Sequence, residues 1–198
     1  MRQHKWASRP GVAIMALSVL AIILVACGGN SEAISSSGAS SSSVNVSKDS
    51  GDRAPNFSVT LFQGEDVLGA SEINIHDLLK GQPLVLNFWA GLCPPCRAEM
   101  PDLQLFNEEF KDRLTLLGVD LGQFTGLGTQ KDAADLLDEL GVTYPTGFTN
   151  DSNVIKDYRV FGLPATIFID ANGEIFKNWG GALNLKVLQE QSNAMLAQ

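Results

Sequence analysis

Basic residues, histidines and cysteines are all scarce in this chain, and each shortage closes off a class of function. Lysine and arginine total 14 against 22 acidic residues, and three of the basic ones, Arg2, Lys5 and Arg9, crowd into the first nine positions. Beyond that start, 11 basic residues face 22 acidic ones, a formal charge of −11 that suits neither nucleic acid nor an anionic membrane face. Two histidines, His4 and His76, and three cysteines, Cys27, Cys93 and Cys96, are too few for a disulfide framework. They also fall short of a four-ligand metal site, because His4 and Cys27 stand far upstream of the rest. The longest apolar run, Gly11 to Ala26, is shorter than the roughly 20 residues a spanning helix prefers.

What that run does offer is the layout of an export signal: a basic start, an apolar stretch, then small residues and a cysteine. Leu24-Val25-Ala26-Cys27 resembles the bacterial lipobox, in which the cysteine is acylated and becomes the new N-terminus. The expectation is a lipoprotein signal peptide over residues 1–26 and lipidation at Cys27. The protein would then be anchored by lipid at the extracytoplasmic face of a bacterial membrane. Residues 27–50, rich in serine and glycine, bury too little apolar surface to order themselves and read as a flexible tether.

Residues 51–198 are expected to form one α/β domain, since 198 residues suffice for one full core but not comfortably for two. Phe57, Val59 and Leu61 alternate along a strand that leads into a hairpin, and Asn74 to Leu79 reads as a short helix or turn. Leu84 to Ala90 is a nearly continuous apolar run of strand length, suited to a central strand covered on both faces. A helix follows from Cys96 to Phe110, with a kink expected at Pro101. Further strands are read at Arg113–Asp120, Thr146–Thr149, Ala165–Asp170 and Ile175–Trp179, and further helices at Gln130–Gly141, Asn153–Tyr158 and Asn184–Leu196. The order βαβαβ, closed by a hairpin and a helix, implies a central mixed β-sheet flanked by helices, with an N-terminal β-hairpin extension. The glycine-rich segment Leu121 to Gln130 reads as a loop bordering the site.

Chemistry concentrates in Asn87-Phe88-Trp89-Ala90-Gly91-Leu92-Cys93-Pro94-Pro95-Cys96, where two cysteines three apart meet the junction of a buried strand and a helix. Free N–H groups and the dipole at a helix N-terminus favour a thiolate, the species that attacks disulfides. Cys93 is the expected nucleophile and Cys96, covered by its helix, the resolving thiol. Pro94 and Pro95 remove backbone donors from the loop, which argues for a mild oxidant. A purely structural disulfide between residues three apart would close almost no chain and so stabilise little.

From near Ala54 onward the chain resembles the TlpA/ResA group of membrane-tethered thioredoxin-like proteins. The resemblance is carried by LVLNFWAGLCPPCRAEMP, FGLPATIFIDANGEI and the opening APNFSVTLFQGE. It implies a thioredoxin-like fold, no cofactor or metal, a monomer, and a dithiol that reduces disulfides of exported proteins, cytochrome c precursors among them. Electrons would come from a membrane thiol carrier. Pro164, in Gly162-Leu163-Pro164-Ala165, matches the cis-proline that faces the cysteine pair in this fold, which would leave the Leu163 backbone free to pair with an extended substrate segment. Glu99, one turn after Cys96, matches an acidic residue thought to handle protons in ResA-like members.

Two positions depart from the pattern. Asn87 stands where thioredoxin has a buried aspartate, leaving Glu99 as the nearby proton acceptor. Leu92 stands where many members have tryptophan. Trp89 then becomes the nearest aromatic and a candidate substrate contact, although its place on a buried strand favours the core. Two other functions fit the fold. A peroxiredoxin-like peroxidase would need a hydroxyl residue where Ala90 stands. A copper chaperone would need a histidine downstream of the cysteines, whereas His76 lies upstream.

Overall fold

The computed structural model describes residues 52–198, and the expected signal peptide, Cys27 and tether lie outside the described residues. The chain opens with β1 (Ser58–Gln63), α1 (Glu65–Leu68), β2 (Glu72–Asn74) and α2 (Ile75–Leu78). The central unit follows as β3 (Leu84–Trp89), α3 (Pro94–Phe110), β4 (Thr115–Asp120), α4 (Gly122–Thr125), α5 (Gln130–Leu140) and β5 (Thr146–Phe148). The chain closes through α6 (Asn153–Asp157), β6 (Ala165–Ile169), β7 (Ile175–Gly180) and α7 (Leu185–Leu196).

All seven strands join one mixed sheet in the order β2-β1-β5-β4-β3-β6-β7. Strands β3, β4 and β5 run parallel, while β6 and β7 on one side and β1 and β2 on the other pair antiparallel. The fold is thioredoxin-like, and the β1–β2 pair supplies the expected N-terminal hairpin.

β3 lies at the centre because all six of its residues are buried, the signature of a strand covered on both faces. Its alternate residues divide the core. Leu84, Leu86 and Phe88 meet β1, α2 and α6 on one face, whereas Val85 and Trp89 meet α3, α5 and α7 on the other. Helix α5 starts with a capping box between Thr129 and Asp132 and stops at Gly141 in the left-handed region, so its ends are written into the sequence.

Four elements differ from the sequence reading. Helix α3 begins two residues earlier than expected, at Pro94, and continues through Pro101 to Phe110; Pro101 lies beyond the first turn, where it removes the N–H that would reach back to Arg97. The segment Glu72–Asn74 is a strand without an apolar pattern, held by its pairing to β1. Residues 65–68, to which the sequence reading gave no element of their own, form one helical turn between the left-handed glycines Gly64 and Gly69. Within the glycine-rich segment, Gly122–Thr125 forms another.

Candidate active site

The site is built where β3 ends and α3 begins. Cys93 is the N-cap of α3, Pro94 and Pro95 fill the first two helical positions, and Cys96 is the third. Prolines suit those positions because their missing N–H groups would have no intrahelical partner. The first free N–H of the helix therefore belongs to Cys96, and it points at Cys93 Sγ from 3.4 Å. The two cysteines are joined as a disulfide, with their Cα atoms 5.3 Å apart. Cys93 is 3% exposed and Cys96 wholly buried, although Leu92, Pro94 and Pro95, which flank Cys93 in the chain, are exposed.

Glu99 lies one turn further along α3 and is almost completely buried. Its carboxylate is held at both oxygens: Asn87 Nδ2 donates to Oε1 at 2.8 Å, and the Leu183 N–H donates to Oε2 at 2.9 Å. Burial pushes its pKa up to about 7, while the hydrogen bonds from Leu183 and Asn87 oppose the rise. A carboxyl poised there can take or release a proton at neutral pH. Asn87 is thus more than a missing aspartate. It presents Glu99 to the site and is itself fixed by a second bond to Thr166 Oγ1 at 3.1 Å.

Opposite the helix start, the Leu163–Pro164 peptide bond is cis. Pro164 is buried and its carbonyl accepts the Gly181 N–H at 2.9 Å, while Leu163 is half-buried. Among the described residues the Leu163 backbone takes part in no hydrogen bond. It borders an open groove of about 580 Å³ lined also by Arg159, Phe161, Asn178, Gly180 and Gly181. Phe161 is 97% exposed, and nothing in its sequence pattern marks it as a surface residue.

Two of the sequence candidates sit elsewhere. Trp89 is wholly buried, packed among α3 and α5 residues, so it is a core residue and not a substrate contact. His76 lies on α2 with its Nε2 2.8 Å from the Ala54 carbonyl, and among the described residues no cluster of His, Cys, Asp or Glu could hold a metal ion. One buried acid escaped the sequence reading altogether. Asp120 ends β4 directly beside Trp89, and burial pushes its pKa up to about 6.

A cysteine pair capping a helix opposite a cis-proline, with an acid beneath, is equipped for dithiol chemistry, and known proteins of this build carry it out. Residues 50–177 match the AhpC/TSA family. The chain belongs to that family. It is 34% identical over 148 residues to the thiol-disulfide oxidoreductase ResA of Oceanobacillus iheyensis, covering 75% of this chain and 73% of that one. Among solved structures, StoA from Bacillus subtilis superposes with a TM-score of 0.58 at 25% identity, over 70% of this chain and 97% of StoA. A thiol:disulfide interchange protein of the thioredoxin family from Chlorobium tepidum TLS gives a TM-score of 0.60 at 21% identity, over 74% of this chain and 97% of its own, a likeness of fold alone. The chain is a thiol-disulfide oxidoreductase of the ResA-like kind.

Proposed function

We propose that the protein reduces disulfides of exported proteins through Cys93 and Cys96, from a lipid anchor at Cys27 on the extracytoplasmic face of the membrane. The observation that carries this reading is Cys93 at the N-cap of α3, with the Cys96 N–H turned onto its sulfur. As a thiolate, Cys93 attacks one sulfur of a substrate disulfide and forms a mixed disulfide, and the other substrate sulfur leaves as a thiolate that takes a proton from water. Cys96 then loses its proton to the Glu99 carboxylate and attacks Cys93 Sγ. The second substrate thiol is freed, and two electrons have passed from the dithiol to the substrate. A membrane thiol carrier returns the pair to its reduced form.

Leu163 and Pro164 form the platform on which an extended substrate segment lies, pairing with the Leu163 backbone as an added strand. Cytochrome c precursors fit such a substrate as unfolded chains with a closely spaced cysteine pair. The protein works as a monomer without a cofactor. A peroxidase reading is disfavoured by Ala90, a wholly buried residue with no hydroxyl to offer a peroxide.

The experiment is trapping. Cys96→Ala should accumulate mixed disulfides through Cys93, and Cys93→Ala should accumulate none; equal trapping by both would overturn the assignment of the nucleophile. Mass spectrometry of the membrane-extracted protein should find a diacylglyceryl group on Cys27, and an intact leader would remove the lipid anchor. Peroxide consumption by the reduced protein at rates matching disulfide reduction would favour the peroxidase.

A further inference from the structure

Asn87 stands in register with Thr166 of β6 on one side and Gly118 of β4 on the other, and both Asn87 and Thr166 are wholly buried. The two ends of its amide are used unequally. Nδ2 donates to Glu99 Oε1 at 2.8 Å and to Thr166 Oγ1 at 3.1 Å, whereas Oδ1 meets no donor among the described residues. Gly118 has no side chain to offer it. A buried amide carbonyl without a partner is costly, and a fold that keeps one has reason to use it.

The use follows from the chemistry of Glu99. Its Oε2 accepts the N–H of Leu183 at 2.9 Å, a backbone donor that cannot turn round. Oε1 faces Asn87, whose oxygen and nitrogen exchange places when the amide turns half a revolution about its Cβ–Cγ bond. A charged carboxylate only accepts, and the NH₂ group suits it. A neutral carboxyl carries an O–H that needs an acceptor, and Oδ1 brought into the place of Nδ2 supplies one. Thr166 allows the same reversal, because a hydroxyl accepts in one state and donates in the other. The far end of the amide has no hydrogen bond to lose.

Glu99 belongs to none of the ion pairs among the described residues, so no cation pins it in the charged form. The titratable groups buried on this face are Cys93 and Cys96 of α3, Asp120 of β4 and Tyr144 ahead of β5; α5 and α7 bury none against it. Burial, and after it the Glu99 charge, push the Tyr144 hydroxyl well above its ordinary range, so it keeps its proton. Of the groups that titrate, Glu99 is the one bonded to Asn87.

We propose that Asn87 is the positioning residue for the proton that Cys96 gives up: its amide donates to Glu99 while the acid is charged and turns over to accept from Glu99 once the acid is neutral, with the Thr166 hydroxyl reversing in step. The inference rests on Glu99 as the acceptor of the Cys96 proton. The S–H bond of Cys96 breaks, an O–H bond forms on Glu99 Oε1, and the hydrogen bonds around the acid persist, reversed in sense at Asn87 and unchanged at Leu183. An ionised aspartate at position 87 would only accept and a leucine would do neither, whereas a carboxamide serves both charge states.

The test begins with the reduced full-length chain, isotope-labelled and held in detergent micelles, followed by NMR from about pH 8 down to about pH 5.5. On the alkaline side the Asn87 NH₂ protons should show Overhauser contacts to Thr166. On the acid side those contacts should vanish, and the Asn87 amide carbon should titrate with the same midpoint as the Glu99 carboxyl carbon, near about 7. Identical contacts at both ends of the range overturn the proposal. In Glu99→Gln the Asn87 titration should disappear; if it persists, another group drives the amide and the proposal is equally wrong. The kinetic arm follows release of thionitrobenzoate from its mixed disulfide with Cys93, the step in which Cys96 attacks. Asn87→Leu should slow that release about tenfold or more, and an unchanged rate overturns the proposal. Should that variant not fold, the wild-type resonances decide alone. Release at the wild-type rate in Glu99→Gln would instead refute Glu99 as the proton acceptor, the reading beneath the inference, even where the amide is found to turn.

Discussion

The two faces of the sheet are built to different standards. On the face toward β1, α2 and α6, Phe57, Phe88 and Tyr158 pack ring against ring, with centroids 5.4 to 6.3 Å apart. The one polar atom introduced there, the Tyr158 hydroxyl, is matched by the Pro55 carbonyl. The face toward α3, α5 and α7 carries Asn87, Asp120, Thr166 and Glu99 among its apolar residues. It also holds buried polar atoms that have no hydrogen-bond partner among the described residues, among them Asn87 Oδ1, Trp89 Nε1, Asp120 Oδ2 and Tyr144 OH. Unsatisfied buried groups work against stability, and in natural proteins they collect where function requires them. Stability is therefore concentrated on one face and chemistry on the other, with β3 serving both through alternate residues.

Phe88→Ala tests the stabilising face and should have the largest effect, a loss of about 3–5 kcal/mol in denaturant unfolding, with disulfide exchange per folded molecule unchanged. A comparable loss of exchange rate would mean that the faces are not separable. Asn87→Ala, one residue away on β3 but on the other face, should cost about 1–3 kcal/mol. It should also raise the Glu99 pKa further above about 7, because a donor to the charged form is gone; carboxyl titration followed by NMR would show it.

The pH dependence of stability sharpens the contrast. Glu99 and Asp120 both hold their protons more tightly folded than unfolded, so their contribution is fully present below about pH 4 and is lost as pH rises through about 6 for Asp120 and about 7 for Glu99. Glu99→Gln should flatten the upper part of that decline, and thermal melts between acidic and neutral pH would measure it. The smallest effect is expected at the surface, where Glu139→Gln removes an exposed partner of Arg97 and should leave the melting temperature unchanged within error.

Much of the frame was legible before any coordinates. β3 announced itself by a nearly unbroken apolar run, α5 by its helical spacing and terminal glycine, and the cysteine pair by its place between strand and helix. β2 was not legible, because three residues with one buried side chain acquire strand geometry only from pairing with β1. Asn87 was read as a missing acid, since its partner Glu99 sits on a helix packed across the sheet. Asp120 was hidden for a related reason. At the end of an apolar strand it looked like a boundary, and its nearness to the cysteine turn arises from a parallel register between residues 31 positions apart, Trp89 and Asp120.

Gly91 and Leu92, adjacent in sequence, have opposite freedoms. No side chain fits at Gly91 without displacing the backbone of α5, whereas Leu92 is 59% exposed beside the cysteines. For a lineage under selection this separates two inheritances. The residue whose backbone rests on α5 resists drift, while its exposed neighbour has room to exchange leucine for an aromatic or a charge without disturbing the packing beneath the cysteines.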